Sequence, residues 1–206
     1  MRKVIIGLET AINGGSLSLI ENGREIDYFV GIEEQSRSDS ILENLVDLLV
    51  RNNISRDDIK SICVSNGPGS LTGIRIGKAL GLGIGNALKK KVSELTIFEA
   101  MRKNSTIKGN AITAFQNLGG DIFYYEFGKY DTDVAIGQKV EKMNYLDFTN
   151  KTCLYARDYE LTLILTFELA SLFEETFTNM NKDQFKNLNI IKIEGSYANI
   201  IASAVS

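Results

Sequence analysis

The sequence predicts an α/β fold of two related lobes, each opening as an antiparallel β meander and continuing as alternating helix and strand. Three observations predict it. Residues 4–32 read as three strands joined by Gly-containing turns. A Gly-rich stretch at 67–73 stands between an apolar strand and a helix. Finally, Ala11-Ile12-Asn13-Gly14-Gly15 aligns with Gln116-Asn117-Leu118-Gly119-Gly120, the mark of a duplication. The lobes divide as 1–106 and 107–206. The second copy shows no counterpart of the Gly-rich turn and its helix, so it reads as reduced.

The elements follow in order. Val4–Glu9 is a strand, Asn13-Gly14-Gly15 a turn, and Ser16–Ile20 a second strand. Asn22-Gly23 is a strong short hairpin signal and hands over to a strand at Glu25–Ile32. Ser40 and Glu43 have capping-box spacing, and the apolar residues from Ile41 to Leu49 recur at helical spacing to Arg51. Asn52-Asn53 ends that helix. Ile59–Ser65 is apolar with little alternation, as in a buried parallel strand. The Gly-rich turn, a helix to Leu88, a strand at Lys91–Ser93 and a helix at Thr96–Lys103 come next. In the second half, Asn110–Phe115, Ile122–Phe127, Val134–Val140, Thr152–Ala156 and Ile190–Glu194 read as strands, and Glu160–Phe177 as an amphipathic helix.

Composition excludes several chemistries. The chain has 206 residues and no histidine, which removes Ser-His-Asp and Cys-His catalysis and histidine metal sites. Hydrophobic residues make up 44%, enough for a sizeable core. The net charge of −3 gives no electrostatic case for independent nucleic-acid binding. Cys63 and Cys153 each sit in an apolar run and read as buried free thiols. No uncharged apolar run is long enough to span a membrane, and a cytoplasmic setting is expected.

The Gly-rich segment runs Ser65-Asn66-Gly67-Pro68-Gly69-Ser70-Leu71-Thr72-Gly73-Ile74-Arg75 and holds the only proline of the sequence. A strand entering and a helix leaving is the setting of phosphate-binding turns. The P-loop spacing fails by one residue, and Ala79 stands where a magnesium-ligating hydroxyl belongs. The dinucleotide fingerprint fails at Thr72, although Glu94 lies near a strand end at the usual distance for a ribose contact. The remaining reading is a tight structural turn with Ser70 or Thr72 capping the helix. In the helix itself Gly73, Gly77, Gly81 and Gly85 are spaced four apart. Each interior glycine costs about 1 kcal/mol against alanine, so a backbone must approach closely to offset it. That neighbour is the helix at 40–51, a second subunit, or both. Arg75, Lys78 and Lys89-Lys90-Lys91 exclude a membrane span.

Gly67 to Gly77 resembles the signature of the TsaB family, also called YeaZ, and the β-meander opening agrees with it. Departures are Asp39-Ser40-Ile41 where the family often has His-Ser-Glu, and Glu9-Thr10 where many members have Asp-Thr. The resemblance implies the actin-like/Hsp70-like ATPase (ribonuclease H-like) superfold with duplicated βββαβα lobes. It implies a scaffold subunit with no catalytic residue and no metal site of its own. Such a subunit pairs with a TsaD-like catalytic subunit that transfers a threonylcarbamoyl group to adenosine 37 of tRNA. A TsaE-like ATPase joins, tRNA is reached through the complex alone, and the isolated subunit forms homodimers. No cofactor is expected on this chain by itself, with ATP or ADP and Mg confined to the assembled complex. Carried onto this sequence, the pairing surface comprises Ser40, Ile41, Asn44, Leu45 and Leu48 on the first helix. On the second it comprises Ile74, Arg75, Gly77, Lys78, Gly81, Leu82 and Gly85. Two other readings stay open. One is a nucleotide- or dinucleotide-binding enzyme built on Glu9, Thr10, Gly67, Gly69, Ser70, Thr72 and Gly73. The other is a homodimeric binding module.

Overall fold

The computed structural model describes residues 2–31, 37–105, 107, 109–116, 123–130, 135–178 and 188–206, with the backbone alone at 37–40, 123–127, 129–130, 135–139 and 177–178. The chain divides into two compact units, residues 1–100 with 195–206, and residues 101–194.

In the first unit the meander forms as expected. Strands β1 (Val4–Glu9), β2 (Ser16–Glu21) and β3 (Arg24–Val30) are antiparallel neighbours. Asn22 and Gly23 both take positive φ, as the tight hairpin between β2 and β3 requires. Helix α1 (Arg37–Arg51) returns along the sheet, followed by a 3-10 turn at Arg56–Asp58. Strands β4 (Ile59–Ser65) and β5 (Lys91–Leu95) then add in parallel beside β1, giving the order β3-β2-β1-β4-β5. Helix α2 (Leu71–Leu88) connects β4 to β5, and α3 (Ile97–Lys103) follows. β1 and β4 are buried nearly throughout, which explains the weak polar alternation of both. One face of the sheet packs Val4, Ile6, Leu8, Ile62 and Val64 against Ile41, Leu45 and Leu48 of α1. The other face carries α6 (Tyr197–Ser203), whose Ala198 amide donates to Ser16 Oγ at 3.0 Å.

The second unit repeats the topology: β6 (Gly109–Gln116), β7 (Phe123–Tyr130) and β8 (Ala135–Met143), then α4 (Tyr145–Asp158), β9 (Leu161–Thr166), α5 (Phe167–Thr178) and β10 (Leu188–Ile193). Its order β10-β9-β6-β7-β8 is that of the first sheet with each strand replaced by its equivalent. The duplication is therefore complete in strands and helices. What is reduced is the β9–α5 connection, which has no intervening turn; among the described residues α5 spans 12 residues against 18 in α2.

Four sequence expectations are corrected. Thr152–Ala156 is not a strand but the middle of α4, whose start is set by Asn144 accepting from the Asp147 amide. The segment 160–177 is not one helix: Leu161–Thr166 is a parallel strand, and the helix starts at Phe167. α1 starts at Arg37, so Ser40 lies within the helix and not at its cap. The last twelve residues belong with the first unit, since α6 covers Ile5 and Ile20 there. The aligned turn at 117–120 lies outside the described residues.

Candidate functional site

The glycine ridge of α2 faces inward. A Cβ on Gly73 would stand 2.2 Å from the Thr10 carbonyl oxygen, and one on Gly77 2.4 Å from Thr10 Oγ1. On Gly81 and Gly85 it would stand 2.3 Å from Val64 Cγ2 and Val92 Cγ2. All four glycines are buried. The close neighbour that justifies them is the protein's own sheet, and the placement of Gly77, Gly81 and Gly85 on a pairing surface is overturned. Ile41, Leu45 and Leu48 are likewise core residues of the first unit. Exposed on α2 are Leu82 and Arg75, while Ile74 and Lys78 are half-buried, as is Asn44 on α1. Ser40 falls where the backbone alone is described.

What those two adjacent helices do present outward is apolar. On α1, Leu42, Val46 and Val50 recur every four residues and are 45%, 51% and 70% exposed. On α2, Leu71 and Leu82 are exposed, with the small residues Ala79, Gly83 and Ala87 among the outward positions. Sequence reasoning missed Leu42, Val46 and Val50 although a signal existed: apolar residues from Ile41 to Val50 cover more of the helix circumference than a single core face uses.

The Gly-rich turn is held by its own backbone groups. Gly67 has φ of +88°, a conformation that favours glycine, and its carbonyl accepts from the Ile97 amide at 2.9 Å. The Asn66 amide donates to the Leu95 carbonyl at 2.8 Å, Gly67 to Ser65 Oγ at 3.2 Å and Ser70 to the Ala11 carbonyl at 2.9 Å. Ser70 caps α2 by accepting from the Gly73 amide at 3.3 Å. A Cβ on Gly69 would strike Ala11 at 2.7 Å. Glu9 is fully buried, and its carboxylate accepts from the amides of Ala11 and Ile12, the latter at 2.9 Å. Thr10 Oγ1 donates to the Gly73 carbonyl at 2.7 Å. Thr72 is exposed in the first turn of α2. Glu94, the candidate ribose ligand, is ion-paired to Lys78 at 2.8 Å. The seven residues assigned to a nucleotide site are thus brought together around the β1 end, where Thr10 Oγ1 and the Ser70 amide tie the loop after β1 to the start of α2 and the Glu9 carboxylate binds that loop.

The electrostatics of this unit concentrate on β3. Asp27 accepts from Arg51 Nε at 2.6 Å and from Asn52 Nδ2, which together with the Tyr28 amide brings its carboxyl down to about 2. Glu25, half-buried, is pushed up by desolvation against hydrogen bonds from Ser18 and Asn199. Both cysteines are free and buried, and burial raises the Cys153 thiol. Among the described residues no cluster of three metal-ligating side chains occurs, and no helix is long and apolar enough to cross a membrane.

Comparison with known proteins converges on one family. The family model described as "TsaD: tRNA N6-adenosine threonylcarbamoyltransferase" matches residues 32–152, more than half of the chain. The tRNA threonylcarbamoyladenosine biosynthesis protein TsaB of Escherichia coli (strain K12) is 23% identical over 140 residues, covering 66% of this chain and 60% of that protein. The protein of the same name from Buchnera aphidicola subsp. Baizongia pistaciae (strain Bp) is 31% identical over 87 residues, 41% of this chain and 38% of that one. The match therefore spans less than two thirds of either relative. A Pseudomonas aeruginosa structure described as similar to peptidase YeaZ superposes with a TM-score of 0.57 at 16% identity, over 98% of this chain and 90% of that one. A Bacteroides thetaiotaomicron VPI-5482 protein with an actin-like ATPase fold gives 0.54 at 12% identity, over 92% and 90%. The fold is actin-like, two copies of one mixed sheet flanked by helices.

Proposed function

This chain belongs to the TsaB (YeaZ) family of TsaD relatives, and from that membership we propose that it is a non-catalytic subunit of tRNA threonylcarbamoyladenosine biosynthesis. It acts by pairing with a TsaD-like catalytic subunit. The observation that carries the pairing is the outward apolar face of α1 and α2. Leu42, Val46, Val50 and Leu82 sit on two neighbouring helices whose inward faces are already filled by their own sheet. Such a face, rimmed by Glu43, Asp47 and Arg75, has the composition of a protein interface. Alone, the same face supports a homodimer, which the catalytic subunit displaces. tRNA, a TsaE-like ATPase, and any ATP, ADP or Mg belong to the assembled complex, in the cytoplasm.

The absence of histidine supports a silent role, because a histidine-bound metal must then come from the partner. Against the nucleotide-enzyme reading, the Glu9 carboxylate is turned to its own chain, accepting from the amides of Ala11 and Ile12 in the loop after β1.

Reconstitution tests the proposal. The TsaD-like subunit of the same cell is combined with tRNA, its carbamoyl-donor substrates and this chain. Modified adenosine is expected only when this chain is present. Val46→Asp with Leu82→Asp is expected to abolish co-elution of the two subunits and modification together, with the melting temperature of the isolated chain preserved. Equal modification without this chain would sink the proposal.

A further inference from the structure

The sheet of the first unit gathers positive charge along one edge. β1, β4 and β5 are parallel and start at Val4, Ile59 and Lys91, while β3 starts at Arg24, paired to Glu21 where β2 ends. All five strand ends therefore share one rim. Lys3, Arg24, Arg56, Lys60, Lys89 and Lys91 are exposed along it. Lys60 precedes Ser61, which pairs with Lys91, so Lys60 and Lys91 lie at adjacent strand starts. Four inter-strand steps of about 4.8 Å put Arg24 and Lys91 about 19 Å apart along this line.

The carboxylates of the rim are already engaged. Arg2 holds Glu21 through Nε at 2.7 Å and Nη2 at 2.9 Å. Asp58 accepts from the Ser55 amide at 3.1 Å and the Ser55 hydroxyl at 2.6 Å. Asp57 faces Arg56 at 3.5 Å. Lys3, Lys60, Lys89 and Lys91 form no ion pair among the described residues. This stands out in a chain whose overall charge is −3, since the remainder of the molecule must be correspondingly more acidic.

We propose that this strand-start rim is a contact for the phosphate backbone of tRNA, so that the subunit meets the RNA directly and not only through its partner. The inference rests on the reading above for the identity of the RNA. The rim segments carry no aromatic side chain on which a base could stack, so the contact is electrostatic and indifferent to sequence. The rim lies at the strand ends and at the C-terminus of α2, next to the end of α1, where Arg2 Nη1 donates to the Asn52 carbonyl at 2.8 Å.

The test measures tRNA binding against salt concentration for the full chain alone and mixed with the TsaD-like subunit. The triple variant Lys3→Glu, Lys60→Glu, Lys91→Glu is compared with Lys142→Glu, Arg157→Glu, which reverses exposed cations of the second unit. The rim variant is expected to weaken binding at least tenfold at low salt and to flatten the salt slope by about 1 for each lysine that meets a phosphate. The second-unit variant is expected to change neither appreciably. Equal affinity and slope for the rim variant and the unmodified chain overturn the inference, as does an equal loss in both variants. A rim variant that binds tRNA normally but no longer co-elutes with the TsaD-like subunit overturns it too, and assigns the rim to a protein partner. Failure of the unmodified chains to co-elute would instead strike the pairing proposal, while the isolated-chain titration still decides the rim. A thermal melt of each variant establishes that it is folded.

Discussion

α2 and α5 occupy equivalent places in the two units, yet they are seated on their sheets by opposite means. α2 presses four glycines against the backbone and side chain of Thr10 and the side chains of Val64 and Val92, bringing the helix close to the strands. α5 instead turns Leu169, Ala170 and Phe173 into the core, the last meeting Phe148 of α4 edge-on with ring centroids 6.1 Å apart. One topology thus accepts either a row of glycines or a row of larger apolar side chains on the inward face of this helix. The difference bears on function. On α2 the glycines take the inward row, and Leu71 and Leu82 are among the side chains that point outward.

The largest expected effect tests the side-chain packing beneath α5. Phe173→Ala should lose about 3–5 kcal/mol in denaturant unfolding of the chain, because a buried ring leaves a cavity its neighbours cannot close. A loss below about 1 kcal/mol would break the contrast. Gly73→Ala comes next. Its Cβ meets main-chain atoms of Thr10 and Ala11, which cannot step aside, so a net loss of about 2 kcal/mol is expected despite the better helix propensity of alanine. Gly81→Ala meets a side-chain methyl of Val64 and no main-chain atom, and should cost less. Gly83 lies in the same helix but faces outward, with nothing within 4 Å of its missing Cβ. Gly83→Ala should therefore stabilise by up to about 1 kcal/mol, reversing the sign within one helix. If it destabilises instead, α2 is not oriented as described.

The smallest effect separates two carboxylates of β3. The Asp27 carboxyl is lowered to about 2, so its contribution is present above about pH 4 and lost as pH falls towards 2. Glu25 is raised, so its contribution is intact below about pH 4 and lost as pH rises through its higher value. Asp27→Asn should flatten the acid limb of a stability-versus-pH curve, and Glu25→Gln the limb above it. Matching effects of the two variants would contradict the assigned causes.

The first unit was largely legible because its signals are local. Asn22-Gly23 marks a hairpin, and Ser70 stands at the helix start it caps. The second unit was misread where local signals are ambiguous. Leu161-Thr162-Leu163-Ile164-Leu165 is apolar on both faces, and such a run fits a buried strand and a helix equally. Thr152-Cys153-Leu154-Tyr155 has strand-forming residues but sits inside a helix nucleated by a cap eight residues earlier. At the candidate site, four-residue spacing located the glycines on one face without saying which way that face turns. Only tertiary packing decides that, and it turned Gly77, Gly81 and Gly85 inward while leaving Arg75 and Leu82 exposed. The basic rim was invisible for a related reason: its members come from segments far apart in sequence that the parallel strand starts bring together.

The placement of α6 also fixes an order of events during synthesis. This helix covers Ile5, Ile20 and Cys63 of the first unit, and the Cys63 thiol contacts the Ile201 carbonyl at 3.3 Å. Yet it is translated after the whole of the second unit. A nascent chain leaving the ribosome therefore carries its N-terminal sheet with one face uncovered until residues 197–203 emerge. The N-terminal unit is begun first and finished last, so the two halves of this duplicated fold cannot be completed as independent, successive domains.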